Sequence, residues 1–160
     1  KKGMVHISTG DLIRNSEDEE LKEIIKGGNF IPDSSMLKML RKEIKGLDIS
    51  KGVILDGFPR TIRQAKSLDS MLGKLGLGLS HAIYLDVDEP VAKDRIKERS
   101  KKENRSDDKS DSIINKRFED YKEKTMPLID FYTRSRKNID IDASKSPERV
   151  YKSIVRKLGI

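Results

Sequence analysis

The sequence predicts an α/β fold, a parallel sheet with helices on both faces. Three observations lead there. Short apolar runs recur at about 4–7, 53–55, 82–86 and 139–141, the length of buried strands. Between them lie longer segments whose apolar residues repeat every three or four positions, as on an amphipathic helix. The alternation of the two favours parallel strands joined by right-handed crossovers. No repeat or shift in composition divides the 160 residues, a one-domain length.

Each element has its own signals. Met4-Val5-His6-Ile7 reads as a strand, with His6 packed against neighbours, and Ser8-Thr9-Gly10-Asp11 as the turn into a helix. Ser16-Glu17-Asp18-Glu19 has the capping-box pattern before Leu21, Ile24 and Ile25, and Gly27-Gly28 ends that helix. Asp33 is the expected cap of the next, whose inner face carries Met36, Leu37, Leu40 and Ile44 before Gly46 stops it. Val53-Ile54-Leu55 reads as a strand covered on both faces. A helix from Thr61 to about Lys74 turns Ile62, Ala65, Leu68 and Leu72 inward. After the strand at 82–86, Asp88 and Pro90 open a helix on which Arg95 and Arg99 share a face. The polar stretch 100–112 reads as a solvated loop. A helical pattern resumes at Ile113, breaks at Pro127 and restarts as a short helix. A strand at 139–141 and a helix opened by Ser146-Pro147-Glu148 close the chain.

Composition narrows the function classes. A net charge of +7, from 34 Lys and Arg against 27 Asp and Glu, favours an anionic ligand. Four Phe, four Tyr and no Trp argue against a platform for stacked bases. The absence of Cys excludes disulfides and thiolate metal sites and is compatible with the cytosol. No apolar run approaches a membrane span, and no signal peptide is recognisable.

The chemistry gathers around Val53-Ile54-Leu55-Asp56-Gly57-Phe58-Pro59-Arg60. Asp56 stands at a strand end, where open α/β sheets bind ligands. Gly57 permits close backbone approach, Pro59 fixes the turn, and Arg60 offers a rigid fork of donors suited to phosphate. Gln64, four residues on, points the same way from the next helix. This run resembles the signature of nucleoside monophosphate kinases, and of adenylate kinases in particular. The resemblance extends along nearly the whole chain: Ser8-Thr9-Gly10-Asp11-Leu12-Ile13-Arg14 is similar to the start of the monophosphate-binding region. Arg95, Arg99, Arg105-Ser106-Asp107-Asp108 and Arg117 resemble the lid and its flanks. Asp142-Ala143-Ser144-Lys145-Ser146 resembles the loop beside the ATP adenine.

The resemblance implies a P-loop nucleoside monophosphate kinase fold. It also implies the reversible, Mg²⁺-dependent reaction of ATP with AMP to give two ADP. It assigns Arg14 and Arg60 to the AMP phosphate, with Thr9, Gly10, Ile31, Gly57 and Gln64 around the rest of AMP. Arg99, Arg105 and Arg117 would clamp the transferring phosphates, Arg95 would stack on the ATP adenine with Ser146 nearby, and Asp56 would hold Mg²⁺ through water. Arginines suit such a site because they stay charged and bind phosphate oxygens in pairs. The Gln64 amide can meet adenine as donor and acceptor at once. Thr9 also favours AMP, since pyrimidine-specific relatives tend to carry Ala there and UMP/CMP kinases Asn at the Gln64 position. UMP/CMP kinase is the alternative within the class. One domain spanning 1–160 is expected, with an AMP-binding insertion at about 8–50 and a short mobile lid at about 100–112. A monomer in the cytoplasm is expected, binding neither nucleic acid nor membrane.

Two departures stand out. Arg105 and Arg117 are 12 apart, one more than the family spacing, which weakens the assignment of Arg117. The phosphate loop G-x-x-x-x-G-K does not occur in these residues. In the family it follows a first strand that lies in the middle of a five-stranded sheet. The expectation is therefore a front segment of roughly thirty residues not included here, and strands 53–55 and 82–86 standing about two strand spacings apart rather than paired. As written, the chain is expected to bind AMP better than it catalyses. A catalytically inactive nucleotide-binding module is the rival class. A basic nucleic-acid-binding domain is disfavoured, because the arginines fall at family positions rather than along one stripe.

Overall fold

The computed structural model describes residues 3–103 and 110–160. Among the described residues four strands form: β1 (Val5–Ser8), β2 (Val53–Asp56), β3 (Ala82–Asp86) and β4 (Asn138–Asp142). β1 pairs with β2 and β3 with β4, both in parallel. Eight α-helices accompany them: α1 (Thr9–Arg14), α2 (Glu19–Lys26), α3 (Asp33–Lys45), α4 (Ile62–Gly73), α5 (Glu89–Glu103), α6 (Asp111–Asp120), α7 (Pro127–Arg134) and α8 (Pro147–Leu158). The α/β class and the parallel pairing are as the sequence predicts. β2 and β3 belong to separate two-stranded sheets and are not hydrogen-bonded to each other.

Helix α4 ties the two sheets together. Its Leu68, Met71 and Leu72 pack into a core with Ile7 of β1, Ile13 of α1, Leu21 of α2, and Met36, Leu40 and Ile44 of α3. Its Ala65 packs instead with Leu128 and Tyr132 of α7, beside Ala82 of β3. Leu40 and Leu68 are fully buried, so the spacing of apolar residues on α3 and α4 is spent on this one contact layer.

Several local readings need correction. β2 is not covered on both faces: Ile54 is 46% exposed, as are Ile83 (40%) and Leu85 (49%) of β3. Successive strand side chains point to opposite sides, and only one side of each strand meets the core of the described residues. The cap of α2 is Asp18, whose carboxylate accepts from the Leu21 N–H, while the Ser16 hydroxyl turns back to the Ile13 carbonyl. Asp33 does not cap α3. Pro32 holds that position, and the Asp33 carboxylate is engaged by α4. The chain does not break at Pro127: α6 runs through a π-helical turn (Tyr121–Thr125) into α7, with Pro127 in the first turn, where its missing N–H costs nothing. His6 is exposed rather than packed, with Nε2 3.4 Å from Asp56 Oδ2. The segment 100–112 is partly helical, since α5 reaches Glu103 and α6 begins at Asp111. Residues 104–109 of the expected lid, with Arg105, lie outside the described residues.

The Tyr132 hydroxyl is buried with no hydrogen-bond partner among the described residues. Burial, helped by the Asp69 carboxylate, pushes its pKa up to about 12. An unsatisfied buried hydroxyl costs roughly 1–3 kcal/mol. Tyr132→Phe should therefore leave stability unchanged or raise it by about 1 kcal/mol in urea unfolding. A clear loss would show that the hydroxyl has a partner.

Candidate active site

One cavity collects most of the residues singled out from the sequence. Thr9, Gly10, Arg14, Ile31, Gly57, Arg60 and Gln64 all line it, and so does Arg117. It opens where the C-terminal end of β2, the start of α1 and the start of α4 converge. This is the carboxyl end of parallel strands, where α/β folds place their ligands.

Local chemistry sets each wall. The Ser8 hydroxyl accepts from the Asp11 N–H and starts α1 directly after β1. The neighbouring Thr9 donates its hydroxyl to the Asp56 carbonyl at 3.0 Å, fixing α1 to the end of β2. Gly57 follows with φ +77°, a left-handed conformation that suits glycine. A Cβ there would stand 2.9 Å from Thr9 Oγ1 and 3.2 Å from an Arg60 nitrogen. The chain then turns through a cis Phe58–Pro59 peptide. Arg60 donates Nε to the Gly57 carbonyl at 2.8 Å and lays its guanidinium 5.4 Å from the Phe30 ring centre. Arg14 bonds to Asp11 at 2.5 Å on the same rim.

Gln64 occupies the floor. It is 4% exposed, with Oε1 accepting from the Arg60 N–H at 2.7 Å and Nε2 donating to Asp33 Oδ1 at 2.8 Å. Asp33 Oδ2 also accepts from Arg63 Nε at 2.6 Å. Thr61 caps α4 through the Gln64 N–H, so the residue is held through both backbone and side chain.

The far wall comes from α6 and the π-helical turn that follows it. Gly28 (φ +73°) lets α6 approach so closely that a Cβ would stand 2.9 Å from Ile113 Cγ2. Lys116 Nζ donates to Asn29 at 2.5 Å, and Thr125 donates to the Arg60 carbonyl at 2.9 Å. These contacts bring Arg117 to the cavity that holds Arg14 and Arg60. Gly28, Asn29, Phe30 and Asp33 join the site although no sequence signal marks them for it. Gly28 was legible only as a helix stop and Asp33 only as a cap, because both contacts span long sequence separations.

A second cluster lies at the ends of β3 and β4. Arg95 donates to the carbonyls of Ala143 (2.6 Å), Ser144 (3.2 Å) and Lys145 (3.3 Å). Its guanidinium thus frames the loop that leads to Ser146, the residue that opens α8. Hydrogen bonds from Ser144, and then Lys145, hold the Asp142 carboxyl down at about 2. Arg99, one turn beyond Arg95 on α5, does not line the first cavity. Glu89 at the start of α5 bonds to Lys122 and Lys93, which hold its carboxyl at about 2 and tie α5 to the π-helical turn.

Asp56 ends β2 with its carboxylate exposed. No cluster of three or more His, Asp or Glu able to hold a metal occurs among the described residues. One exposed carboxylate suits a magnesium ion that keeps most of its waters, and not a cage of protein ligands.

A cavity at the carboxyl end of parallel strands, rimmed by three arginines, belongs to the class of nucleotide-binding α/β proteins that handle phosphates. Comparison with known proteins narrows it. The family model described as "Adenylate kinase" matches residues 1–137. A protein named adenylate kinase from Xanthomonas euvesicatoria is 38% identical over 160 residues, covering 96% of this chain and 85% of its own. Similar adenylate kinases come from Rhodopirellula baltica (40% over 152 residues; 93% and 79%) and Fervidobacterium nodosum (36% over 187 residues; 96% and 85%). The chain belongs to the adenylate kinase family, whose members are nucleoside monophosphate phosphotransferases. No helix among the described residues is long and apolar enough to cross a membrane.

The Gly57 geometry is testable. Gly57→Ala must strain a left-handed backbone and push on both Thr9 and Arg60, at a cost of about 1–2 kcal/mol. Thermal unfolding should show that loss together with weaker nucleotide binding. Full retention of both would mean that the turn has another conformation.

Proposed function

We propose that this chain catalyses reversible phosphoryl transfer from ATP to AMP, giving two ADP, and that AMP binds in the cavity between α1, α3 and α4. One observation carries the reading: three arginines, Arg14, Arg60 and Arg117, line one cavity together with Gln64. Phosphoryl transfer needs alignment, neutralised charge and exclusion of water more than covalent help. Arg14 and Arg60 hold the AMP phosphate, and Arg117 reaches it from the far wall. Thr9, Gly10, Ile31 and Gly57 shape the space between phosphate and base, and Gln64 meets the base.

The second substrate fits the other cluster. Arg95 and the loop to Ser146 receive the ATP adenine, and Arg99 and Arg105 complete the phosphate clamp. A phosphate oxygen of AMP attacks the γ-phosphorus, and the bond from that phosphorus to its bridging oxygen breaks, releasing ADP. Magnesium, when bound, would neutralise phosphate charge, with Asp56 holding it through water. In this reading residues 8–50 are the AMP-binding insertion and about 100–112 the lid that shields the reaction from water. In this reading the enzyme is a cytoplasmic monomer.

Arg60→Ala should weaken AMP binding by about 1.5–3 kcal/mol, the scale of a hydrogen bond to a charged group. Calorimetry on the full-length protein checks it, and an unchanged affinity would remove Arg60 from the phosphate site. AMP should also outcompete CMP and UMP as acceptor. Equal use of CMP would move the reading to the UMP/CMP kinases.

A further inference from the structure

The Gln64 amide has two faces that differ only in which end carries the hydrogens. A side-chain amide offers two N–H donors at one end and two lone pairs at the other. Free to flip, it could present either order to a base. Here both ends are committed. The Arg60 backbone N–H can only donate, and it meets Oε1 at 2.7 Å. The Asp33 carboxylate, when ionised, can only accept, and it meets Nε2 at 2.8 Å. Chemistry alone thus dictates the orientation of the amide. One N–H and one lone pair are left over, on a residue that lines the cavity.

We propose that Asp33 is a specificity-determining positioning residue: by fixing the Gln64 amide it makes the site select 6-amino over 6-oxo purines. This rests on the reading that Gln64 faces the base. Adenine presents an amino donor beside the N1 acceptor, which matches one remaining lone pair and one remaining N–H. Hypoxanthine and guanine present a carbonyl beside an N1–H, the reverse order. Against the fixed amide they set acceptor against acceptor and donor against donor. A flipped Gln64 would accept them, but the flip would turn its oxygen onto the Asp33 carboxylate. A like pairing so buried is costly.

The Asp33 carboxylate is placed for this role. It stands in the first turn of α3 yet makes no capping bond, and its second oxygen takes Arg63. Arg63 Nε neutralises the carboxylate from outside, with its own side chain 82% exposed. The Arg60 backbone N–H is a second lock on the same amide, so removing Asp33 should loosen selection and not abolish it.

The test measures the affinities of AMP and inosine monophosphate, which differ only at the 6-position and N1, by calorimetry on the full-length protein. Asp33→Asn keeps the shape but can donate as well as accept. It should lower the AMP:IMP affinity ratio by about tenfold, partly through tighter IMP binding. Arg63→Gln, which removes the ion pair but leaves the acceptor, should keep the ratio. An unchanged ratio in Asp33→Asn, or an equal loss for both nucleotides, overturns the proposal and leaves Asp33 a purely structural residue. Gln64→Ala separates the underlying reading: if AMP affinity and the ratio both survive it, Gln64 does not face the base. Should Asp33→Asn fail to fold, side-chain amide NMR of the unaltered protein decides. One Gln64 amide proton protected before ligand, and the second only with AMP, supports the lock. Both exchanging freely without ligand overturns it.

Discussion

The site depends on one buried amide. Gln64 joins three parts of the chain that are otherwise distant: the turn after β2, through the Arg60 N–H; the start of α3, through Asp33; and the start of α4, on which it sits. With both ends engaged, it fixes the distance between the turn that carries Arg60 and the first turn of α3. The costs of leaving such groups unpaired in a buried place are large compared with the worth of any surface contact. The position of Arg60 therefore follows from Gln64 at least as much as from its own bonds to Gly57 and Phe30.

The same economy of contacts shapes the rest of the cavity. Thr9 sends its hydroxyl to the end of β2 and so places the start of α1, where Gly10 and Arg14 follow. Gly28 and Gly57 both carry left-handed backbone where a side chain would collide. Helix α4 serves two roles at once. Its inner face holds the core with α3, while its first turn carries the amide. A disturbance of the core on α4 should therefore reach the cavity directly, through one rigid element.

Much of this was legible in the sequence. The apolar spacing of α3, the glycine stops after Lys26 and Lys45, and the parallel α/β class all followed from periodicity and turn chemistry; on α4 the same spacing placed Ala65, Leu68 and Leu72 inward, but Ile62, in the first turn, is exposed. The motif residues also came together, since Thr9, Gly10, Arg14, Gly57, Arg60 and Gln64 line one cavity. What could not be read were contacts between distant segments. Asp33 has the sequence position of a helix cap, and only the approach of α4, with Arg63 and Gln64, turns its carboxylate elsewhere. A lone His in a strand is usually packed, which is the reading His6 invites, yet the alternation of the strand places it outward beside Asp56. The π-helical turn was hidden as well. Pro127 signals a break, but at the first turn of a helix proline is tolerated, and the chain runs on.

On the proposed reading the monophosphate sits among Arg14, Arg60 and Arg117 with its base against Gln64. Backbone amide NMR of the full-length protein, titrated with AMP alone, tests it most directly. The largest shifts should fall at Thr9, Gly10, Gly28, Gly57, Arg60 and Gln64, with small ones at Ala143, Ser144 and Lys145. Shifts concentrated in that second loop, with the cavity silent, would contradict it.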